Sequence, residues 1–437
     1  MKNARQTAFE ILLKIEKNKA YSNIALDSAV REFSPDSTDR AFISRLVYGV
    51  TERKLTLDYI YSGYLKQPPS KLKPELLTVL RMGTYQLCFA DKIPVSAAVN
   101  ESVELAKKNG AAYAAGLVNA VLRKVSQNGF VTDGLPDDEK RISIEYSVPA
   151  ELVKFFIHHY GYDGAVGIFK SSLQPKKITV RVNTLKTDAA ALIAALTAEG
   201  TEVCETRLEN ALIIRPKDAV YELDSYKQGL FHVEDISSQM CVKALCAQPG
   251  DRVLDICSAP GGKSFAAAQY MNNTGEIVSC DLYEQRVGLI ESGAQRLGIN
   301  MINAKVNDAS VYDPQLGFFD RVLCDVPCSG LGIINKKPEI KYKSLDSIKE
   351  LIPIQKAILE TASRYVKPGG VLVYSTCSLN PNENRRVCDA FLEAHNEFHS
   401  VDAAPGEPRF LNEGDYMTFV PHINNCDGFF VAKFLKD

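Results

Sequence analysis

The 437 residues include 46% hydrophobic and 24% charged residues and carry a formal net charge of −2, a balance typical of ordinary soluble proteins. The sequence excludes a membrane-spanning chain, because no apolar run reaches transmembrane length, and Met1–Arg5 lacks the apolar core of a signal peptide. Eleven cysteines, mostly inside apolar runs, predict reduced thiols in a cytoplasmic protein of two or three domains rather than a disulfide framework.

The charge is distributed unevenly along the chain. Residues 1–128 contain 19 Lys and Arg against 12 Asp and Glu, so this part is basic and the remainder is acidic overall. A basic module permits a nucleic-acid partner, but a solvated basic helical surface explains the charge equally well.

Residues 1–140 are predicted to form an all-helical domain. Apolar residues recur three or four positions apart, the spacing of one helix face, in the segments 8–15, 42–50, 76–87 and 114–122. A polar stretch at 127–141 is interpreted as a linker. Candidate phosphate contacts, if their side chains are exposed, are Lys107, Lys108, Arg123 and Lys124.

A small α+β module is predicted at residues 141–235. Helical patterns cover 149–160 and 187–199, and the strand-like runs are 178–182 and 211–214. Arg181 and Asn183 are either RNA contacts on an exposed strand or ordinary surface positions.

From about residue 236 the pattern alternates strand and helix, which predicts a parallel sheet with helices on both faces. Ligands of such sheets bind at the carboxyl ends of the strands. The predicted strands are Val253–Ile256, Ile277–Asp281, Ala304–Asn307, Arg321–Asp325 and Val371–Ser375, with two more at 417–420 and 428–434. Predicted helices include Tyr283–Leu297 and Leu351–Val366.

The first of these strands leads into a turn of small residues and then an Ala-rich helix, a layout that lets backbone N–H groups approach a cofactor. The turn residues are Cys257, Ser258, Ala259, Pro260, Gly261, Gly262 and Lys263. Gly262-Lys-Ser264 resembles the end of a P-loop, but Cys257 stands where the first glycine belongs and Pro260 lacks an N–H donor. A nucleotide-triphosphatase is therefore disfavoured.

Acidic residues end three successive strands: Asp281, Asp308 and Asp325. Asp281 follows the glycine turn at the usual interval of about 20 residues for an acceptor of ribose hydroxyls. One such acid is often a helix cap, whereas three after a glycine turn favour a cofactor site.

Two cysteine motifs, Asp325-Val-Pro-Cys-Ser-Gly330 and Tyr374-Ser-Thr-Cys-Ser378, follow the fourth and fifth strands. A lone cysteine is usually a small buried hydrophobe. Two cysteines at the carboxyl ends of strands in one sheet, beside Asp325, converge on one crevice. No structural metal is predicted, because neither Cys241 with Cys246 nor Cys324 with Cys328 lies in a glycine-rich knuckle.

These motifs, together with Asp427-Gly-Phe-Phe-Val-Ala432, resemble the RNA cytosine-C5 methyltransferases of the NOL1/NOP2/Sun family. The N-terminal segments Arg5–Ala8, Asp39–Phe42, Arg81–Tyr85 and Asn100–Glu104 resemble the NusB fold, which indicates the Sun/RsmB type. The resemblance implies an α/β, Rossmann-like methyltransferase domain at 236–437. It also implies a small α+β, RRM-like module at 141–235 and an all-α NusB-like RNA-binding domain at 1–140.

By the same resemblance, the reaction is S-adenosylmethionine-dependent methylation of cytosine C5 in 16S ribosomal RNA. Cys377 would be the nucleophile that adds to C6, Cys328 would assist product release, and Asp325 would contact the N3 side of the base. The turn Cys257–Lys263 would hold the methionine end of S-adenosylmethionine, Asp281 the ribose and Asp308 the adenine. Asn307 replaces a glycine frequent in the family.

Two alternatives remain open at this point: methylation of transfer RNA, and an RNA-binding assembly factor without catalysis. The protein is expected to be a monomer. Four lysines and a tyrosine in Ile334–Lys343, directly after the second motif, favour an RNA-facing loop.

Overall fold

A computed structural model describes residues 3–18, 22–33, 36–91, 93–131, 135, 138–217 and 219–437. The chain divides into two compact units. One comprises residues 1–174 together with 334–343, and the other comprises 175–333 and 344–437.

The first unit is helical, as predicted. Its helices are α1 (Ala4–Asn18), α2 (Ser22–Phe33), α3 (Ser37–Glu52), α4 (Lys54–Ser62), α5 (Pro74–Cys88), α6 (Val95–Lys108), α7 (Ala115–Asn128), α8 (Asp138–Glu145) and α9 (Ala150–Ser172). The apolar stripes form its core, in which Leu46, Val47 and Leu80 are fully buried. Part of the expected linker at 127–141 lies outside the described residues, and Asp138 already begins α8.

The segment 334–343 belongs to this helical unit. Of its four lysines, Lys341 is buried and so is not available for the predicted contact with RNA, whereas Lys343 is exposed. Lys341 is 1% exposed, and its Nζ donates to the carbonyl oxygens of Glu52 (2.7 Å) and Tyr146 (3.3 Å). Those carbonyls lie at the C-terminal ends of α3 and α8, where a helix leaves acceptors without partners. At the N-terminal end of α2, the Glu339 carboxylate accepts hydrogen bonds from Ser22 N and Oγ. Lys341 and Glu339 therefore satisfy helix ends within this unit.

We expect Lys341→Met to destabilise the protein by about 1–3 kcal/mol, because the carbonyls of Glu52 and Tyr146 lose the Lys341 donor while the methionine still fills the space. The Glu52 carbonyl keeps the longer hydrogen bond from Tyr342 OH at 3.3 Å. Burial lowers the pKa of Lys341 to about 7, although the charge of Glu52 opposes this shift. The unfolded chain then binds more protons than the folded one from pH 7 upward, so the contribution of Lys341 to stability rises with pH. Thermal unfolding at pH 7 and pH 9 measures this, with exposed Lys343→Met as the control. If the stability difference between wild type and Lys341→Met is smaller at pH 9 than at pH 7, the lowered pKa of Lys341 is contradicted.

The second unit contains a four-stranded antiparallel sheet with strand order β2-β3-β1-β4. Its elements are β1 (Ile178–Val182), α10 (Ala189–Ala198), β2 (Glu202–Glu205), β3 (Ala211–Arg215), α11 (Asp224–Lys227) and β4 (Phe231–Val233). The β-α-β-β-α-β order with this pairing is the ferredoxin-like arrangement, as an RRM-like module requires. The short strands β2 and β4 were not predicted, and β2 has one largely exposed face instead of an apolar run.

The RNA contacts suggested for Arg181 and Asn183 are wrong, and neither residue is a surface position. Arg181 is 2% exposed, donates from Nε to Gln269 Oε1 at 2.7 Å and stacks over the Tyr270 ring. Asn183 is fully buried, and its amide donates to the carbonyls of Gly229 and Leu297. Both side chains hold the small sheet to the rest of this unit.

The larger sheet has strand order β10-β12-β9-β8-β5-β6-β7, with β11 paired to β12. Its elements, with the helices around it, are α12 (Ile236–Leu245), β5 (Arg252–Asp255), α13 (Gly262–Tyr270), β6 (Glu276–Asp281), α14 (Glu284–Leu297), β7 (Ile302–Val306), β8 (Phe319–Asp325), α15 (Leu345–Lys349), α16 (Leu351–Ser363), β9 (Val366–Thr376), α17 (Arg385–Ala394), β10 (Phe398–Val401), β11 (Met417–Phe419), α18 (Pro421–Asn424) and β12 (Phe429–Lys436).

Strands β7, β6, β5, β8 and β9 are parallel, as predicted, and β12 runs antiparallel to β9. Neighbouring residues of β5 pack on opposite sides, Val253 in one apolar cluster and Leu254 in another, so the sheet is covered on both faces. The α/β fold class is thus confirmed, and the carboxyl ends of the parallel strands meet at one edge. Within the part of the chain that is described, no helix combines the length and apolar character needed to span a bilayer.

Candidate active site

The turn after β5 is shaped by one glycine. Gly261 has φ +105°, and a Cβ there would lie 2.4 Å from the Phe265 ring, so a larger residue would strain the backbone and displace that ring. Helix α13 begins at the next residue, which leaves the first backbone N–H groups of the helix near the turn. Ser258 N donates to the carbonyl of Cys280 at 2.7 Å, which fixes the turn against β6.

A buried polar network supports this turn from below, and it was not predicted. Ser264 Oγ lies 2.7 Å from Asp255 Oδ2, 2.9 Å from Ser258 Oγ and 2.7 Å from Ser279 Oγ. Burial raises the pKa of Asp255 to about 6, while the Ser264 hydrogen bond opposes the rise. The sequence analysis treats Asp255 as part of the strand Val253–Ile256. A carboxylate in an otherwise apolar run is the signal that could have indicated this buried polar network.

The two acids beyond the turn occupy different environments. Asp281 is buried at the end of β6, accepts from Tyr283 N and pairs with Arg286 at 2.9 Å. Arg286 also donates to the carbonyl of Ala259 at 2.8 Å, so it joins Asp281 to the glycine turn. Asp308 is exposed, and hydrogen bonds from Ser310 lower the pKa of its carboxyl group. Arg286 was missed because it follows Asp281 inside an ordinary amphipathic helix.

Lys263 reaches from the turn to the next strand end. Its Nζ donates to Asp325 Oδ2 at 2.7 Å, and Ser375 Oγ donates to Asp325 Oδ1 at 2.7 Å. Burial alone would lower the pKa of Lys263, but the charge of Asp325 raises it above its usual value, so the ammonium is retained. Both carboxylate oxygens are held, while a quarter of the Asp325 side chain stays exposed.

Cys328 and Cys377 meet at this edge, with their Sγ atoms 3.2 Å apart. The hydrogen bond between them, together with burial, raises the pKa of Cys328 well above its usual value. Their loops are joined through the backbone, because Gly332 N donates to the Cys377 carbonyl and Gly428 N donates to the Gly332 carbonyl. A Cβ on Gly332 would lie 1.8 Å from Gly428 O, and a Cβ on Gly428 would lie 2.7 Å from Gly332 Cα, which explains both glycines, the second being that of the Asp427-Gly-Phe-Phe motif.

The geometry thus brings together the predicted Cys257–Lys263 turn, Asp325, Cys328 and Cys377, with Asp281 joined to the turn through Arg286. The Asp308 carboxylate accepts from Ser310 N and Oγ. Among the described residues, no group of three or more His, Cys, Asp or Glu is arranged to hold a metal ion. The chemistry available at this sheet edge is that of two neighbouring thiols and a carboxylate, with helix N–H donors at the adjoining turn.

Comparisons with known proteins agree with this architecture. Residues 242–435 match the family model of the 16S rRNA methyltransferases RsmB/F, residues 2–127 the NusB family, and residues 148–220 the ferredoxin-like domain of RsmF/B-like methyltransferases. A probable ribosomal RNA small subunit methyltransferase B of Bacillus subtilis is 37% identical over 99% of both chains. The protein of the same name in Synechocystis is 33% identical over the full length of both.

Solved structures show the same fold. One crystal structure is similar over 98% of both chains, with a TM-score of 0.83 and 26% identity. A methyltransferase homologue from Pyrococcus horikoshii matches 69% of this chain and 100% of its own, with a TM-score of 0.61 and 27% identity. The chain therefore belongs to the RsmB/F family of 16S ribosomal RNA methyltransferases.

Proposed function

We propose that this chain methylates C5 of a cytosine in 16S ribosomal RNA, using S-adenosylmethionine and a covalent bond between Cys377 Sγ and C6 of the base. The observation that carries the proposal is the pair of thiols 3.2 Å apart beside Asp325. C5 of cytosine is a weak nucleophile, and a sulfur bonded to C6 makes C5 enamine-like, which divides one hard step into easier ones.

The residues present suit S-adenosylmethionine. The N–H groups at the start of α13 fit a carboxylate, and Asp281 fits ribose hydroxyls. The side chains of Leu282, Tyr283 and Val306, near Asp281 and Asp308 in sequence, are 50%, 61% and 56% exposed. Exposed apolar side chains at this place suit the adenine ring of the cofactor. When bound, the cofactor supplies an electrophilic methyl group on a sulfonium.

In the proposed reaction, the Cys377 sulfur bonds to C6 as its thiol proton passes through the Asp325 carboxyl group to N3, and Asp325 also accepts from the exocyclic amine. Lys263 and Ser375 hold the Asp325 carboxylate in one orientation for this contact. C5 then takes the methyl group, the C5 proton leaves, and the C6–S bond breaks to return the thiolate.

Cys328 is proposed to assist that release. Its Sγ lies 3.2 Å from the Cys377 sulfur, so Cys328 stands beside the proposed C6–S bond at the stage where the C5 proton must be removed.

The cytosine must leave its stack to reach this edge, which favours a single-stranded or loop target. In the helical unit, Lys107, Lys108, Arg123 and Lys124 are exposed and remain proposed phosphate contacts, with Lys107 paired to Glu104 at 2.7 Å.

The test is transfer of labelled methyl from S-adenosylmethionine to purified 16S ribosomal RNA, to transfer RNA and to small ribosomal subunits, with the product base located by bisulfite sequencing. We expect 5-methylcytosine in 16S RNA only. Label in transfer RNA alone would favour the first alternative, and transfer to no RNA would favour a non-catalytic assembly factor.

A further inference from the structure

The two cysteine loops share one buried carboxylate, that of Glu383. Each cysteine is followed by a serine, Ser329 after Cys328 and Ser378 after Cys377. Glu383 Oε2 accepts from Ser329 Oγ at 2.5 Å and from Ser378 Oγ at 2.7 Å. Glu383 Oε1 accepts from the backbone N–H of Ser329 at 2.7 Å. One side chain is therefore bonded to both loops.

Glu383 is fully buried and, among the described residues, forms no ion pair. Its fourth donor is Gln355 Nε2 at 3.0 Å, and the same amide nitrogen also donates to the carbonyl of Pro327, the residue before Cys328. A buried carboxylate without a cationic partner is costly and persists only when donors surround it. A carboxylate is also the one side chain that can accept from all four donors at once.

The chain around Glu383 is itself fixed to the end of β9. Tyr374 OH donates to the Glu383 carbonyl at 2.6 Å. Asn384 accepts from Thr376 Oγ1 at 2.6 Å and donates to the Ser378 carbonyl at 2.8 Å. The carboxylate is thus anchored to the strand that carries Cys377 and reaches across to the loop that carries Cys328.

We infer that Glu383 is a positioning residue, which sets the spacing between the Cys328 and Cys377 thiols by binding the serine next to each of them. The inference rests on the proposed function only for its consequence in catalysis; the spacing itself is a property of the fold. Misplacing a reacting group by about 1 Å costs about 100-fold in rate.

Two substitutions separate this role from general support of the fold. Glu383→Ala removes the acceptor of all four donors, so the loops lose their common anchor. Glu383→Gln keeps one acceptor oxygen for Ser329 N–H and Gln355, and the serine hydroxyls can rotate to accept from the new amide group. Glu413→Gln is the control, since the carboxylate of Glu413 accepts from Thr418 and not from either cysteine loop.

The spacing can be read without catalysis by bridging the thiols with phenylarsine oxide, which condenses with two thiols to give two As–S bonds and releases water. Mass spectrometry of digested protein identifies the bridged peptides of Cys328 and Cys377. We expect efficient bridging in wild type, Glu383→Gln and Glu413→Gln, and at least about a tenfold loss in Glu383→Ala. In parallel, kcat should fall about 100-fold in Glu383→Ala and less than about tenfold in Glu383→Gln, with KM for S-adenosylmethionine unchanged.

The outcomes are distinguishable. Unchanged bridging in a folded Glu383→Ala protein overturns the positioning role. Lost bridging with full turnover upholds the role of Glu383 but overturns the proposed cysteine chemistry. If Glu383→Ala does not fold, the Ser329→Ala/Ser378→Ala variant decides: it removes both hydroxyl donors, and bridging equal to wild type overturns the inference.

Discussion

Cys377→Ala is expected to lower methyl transfer to 16S ribosomal RNA by at least about 10³-fold, because C6 of the cytosine loses the sulfur that activates C5. The substitution removes one Sγ atom at the edge of the site, and the Cys257–Lys263 turn keeps its own supports in Asp255, Ser264 and Arg286. Binding of S-adenosylmethionine, measured by calorimetry, should therefore remain at the wild-type affinity while labelled methyl transfer disappears.

The control is Cys204→Ala, which removes an exposed cysteine of β2. Its turnover should equal that of the wild type. Retained turnover in Cys377→Ala would refute the nucleophile assignment, and loss of cofactor affinity together with turnover would point to a structural effect instead.

Cys328→Ala is expected to trap the enzyme on its RNA. The Cys377 thiolate can still bond to C6 and methyl transfer can follow, but the group proposed to help remove the C5 proton is gone, so the C6–S bond does not break. A denaturing gel of labelled 16S RNA should show a protein–RNA adduct that accumulates with time, together with less than one released product per enzyme.

The Cys328→Ala/Cys377→Ala double variant is the matched control, since it lacks the sulfur that forms the bond. It should form no adduct under the same conditions. Absence of an adduct in Cys328→Ala with continued turnover would show that release depends on a different residue.

The site residues that could be predicted from the sequence are those with a reactive or cofactor-binding side chain at the end of a strand. Cys257–Lys263, Asp325, Cys328 and Cys377 could be predicted to converge because parallel strands end at one edge of the sheet. Their supports could not be predicted in the same way. Glu383 stands in a loop, and nothing in its local pattern reveals that its partners are 54 and 5 residues away in sequence.

The same limit explains the errors. Lys341 stands in a lysine-rich stretch with the composition of a solvated, RNA-binding loop, and a charge pattern carries no information on which carbonyl oxygens elsewhere lack donors. Arg181 lies on a strand whose alternation predicts an exposed face, but that face is covered by Gln269 and Tyr270 of α13. Tertiary burial decided both cases against the local pattern.

The ten residues 334–343 give the helical unit a discontinuous sequence, since they are encoded within the methyltransferase unit. No single crossover in the gene can exchange the helical unit intact with that of a relative, because a graft of 1–174 would leave foreign residues to satisfy the ends of α2, α3 and α8. Chimeras between family members should then express well only when this short stretch travels with its own N-terminal helices.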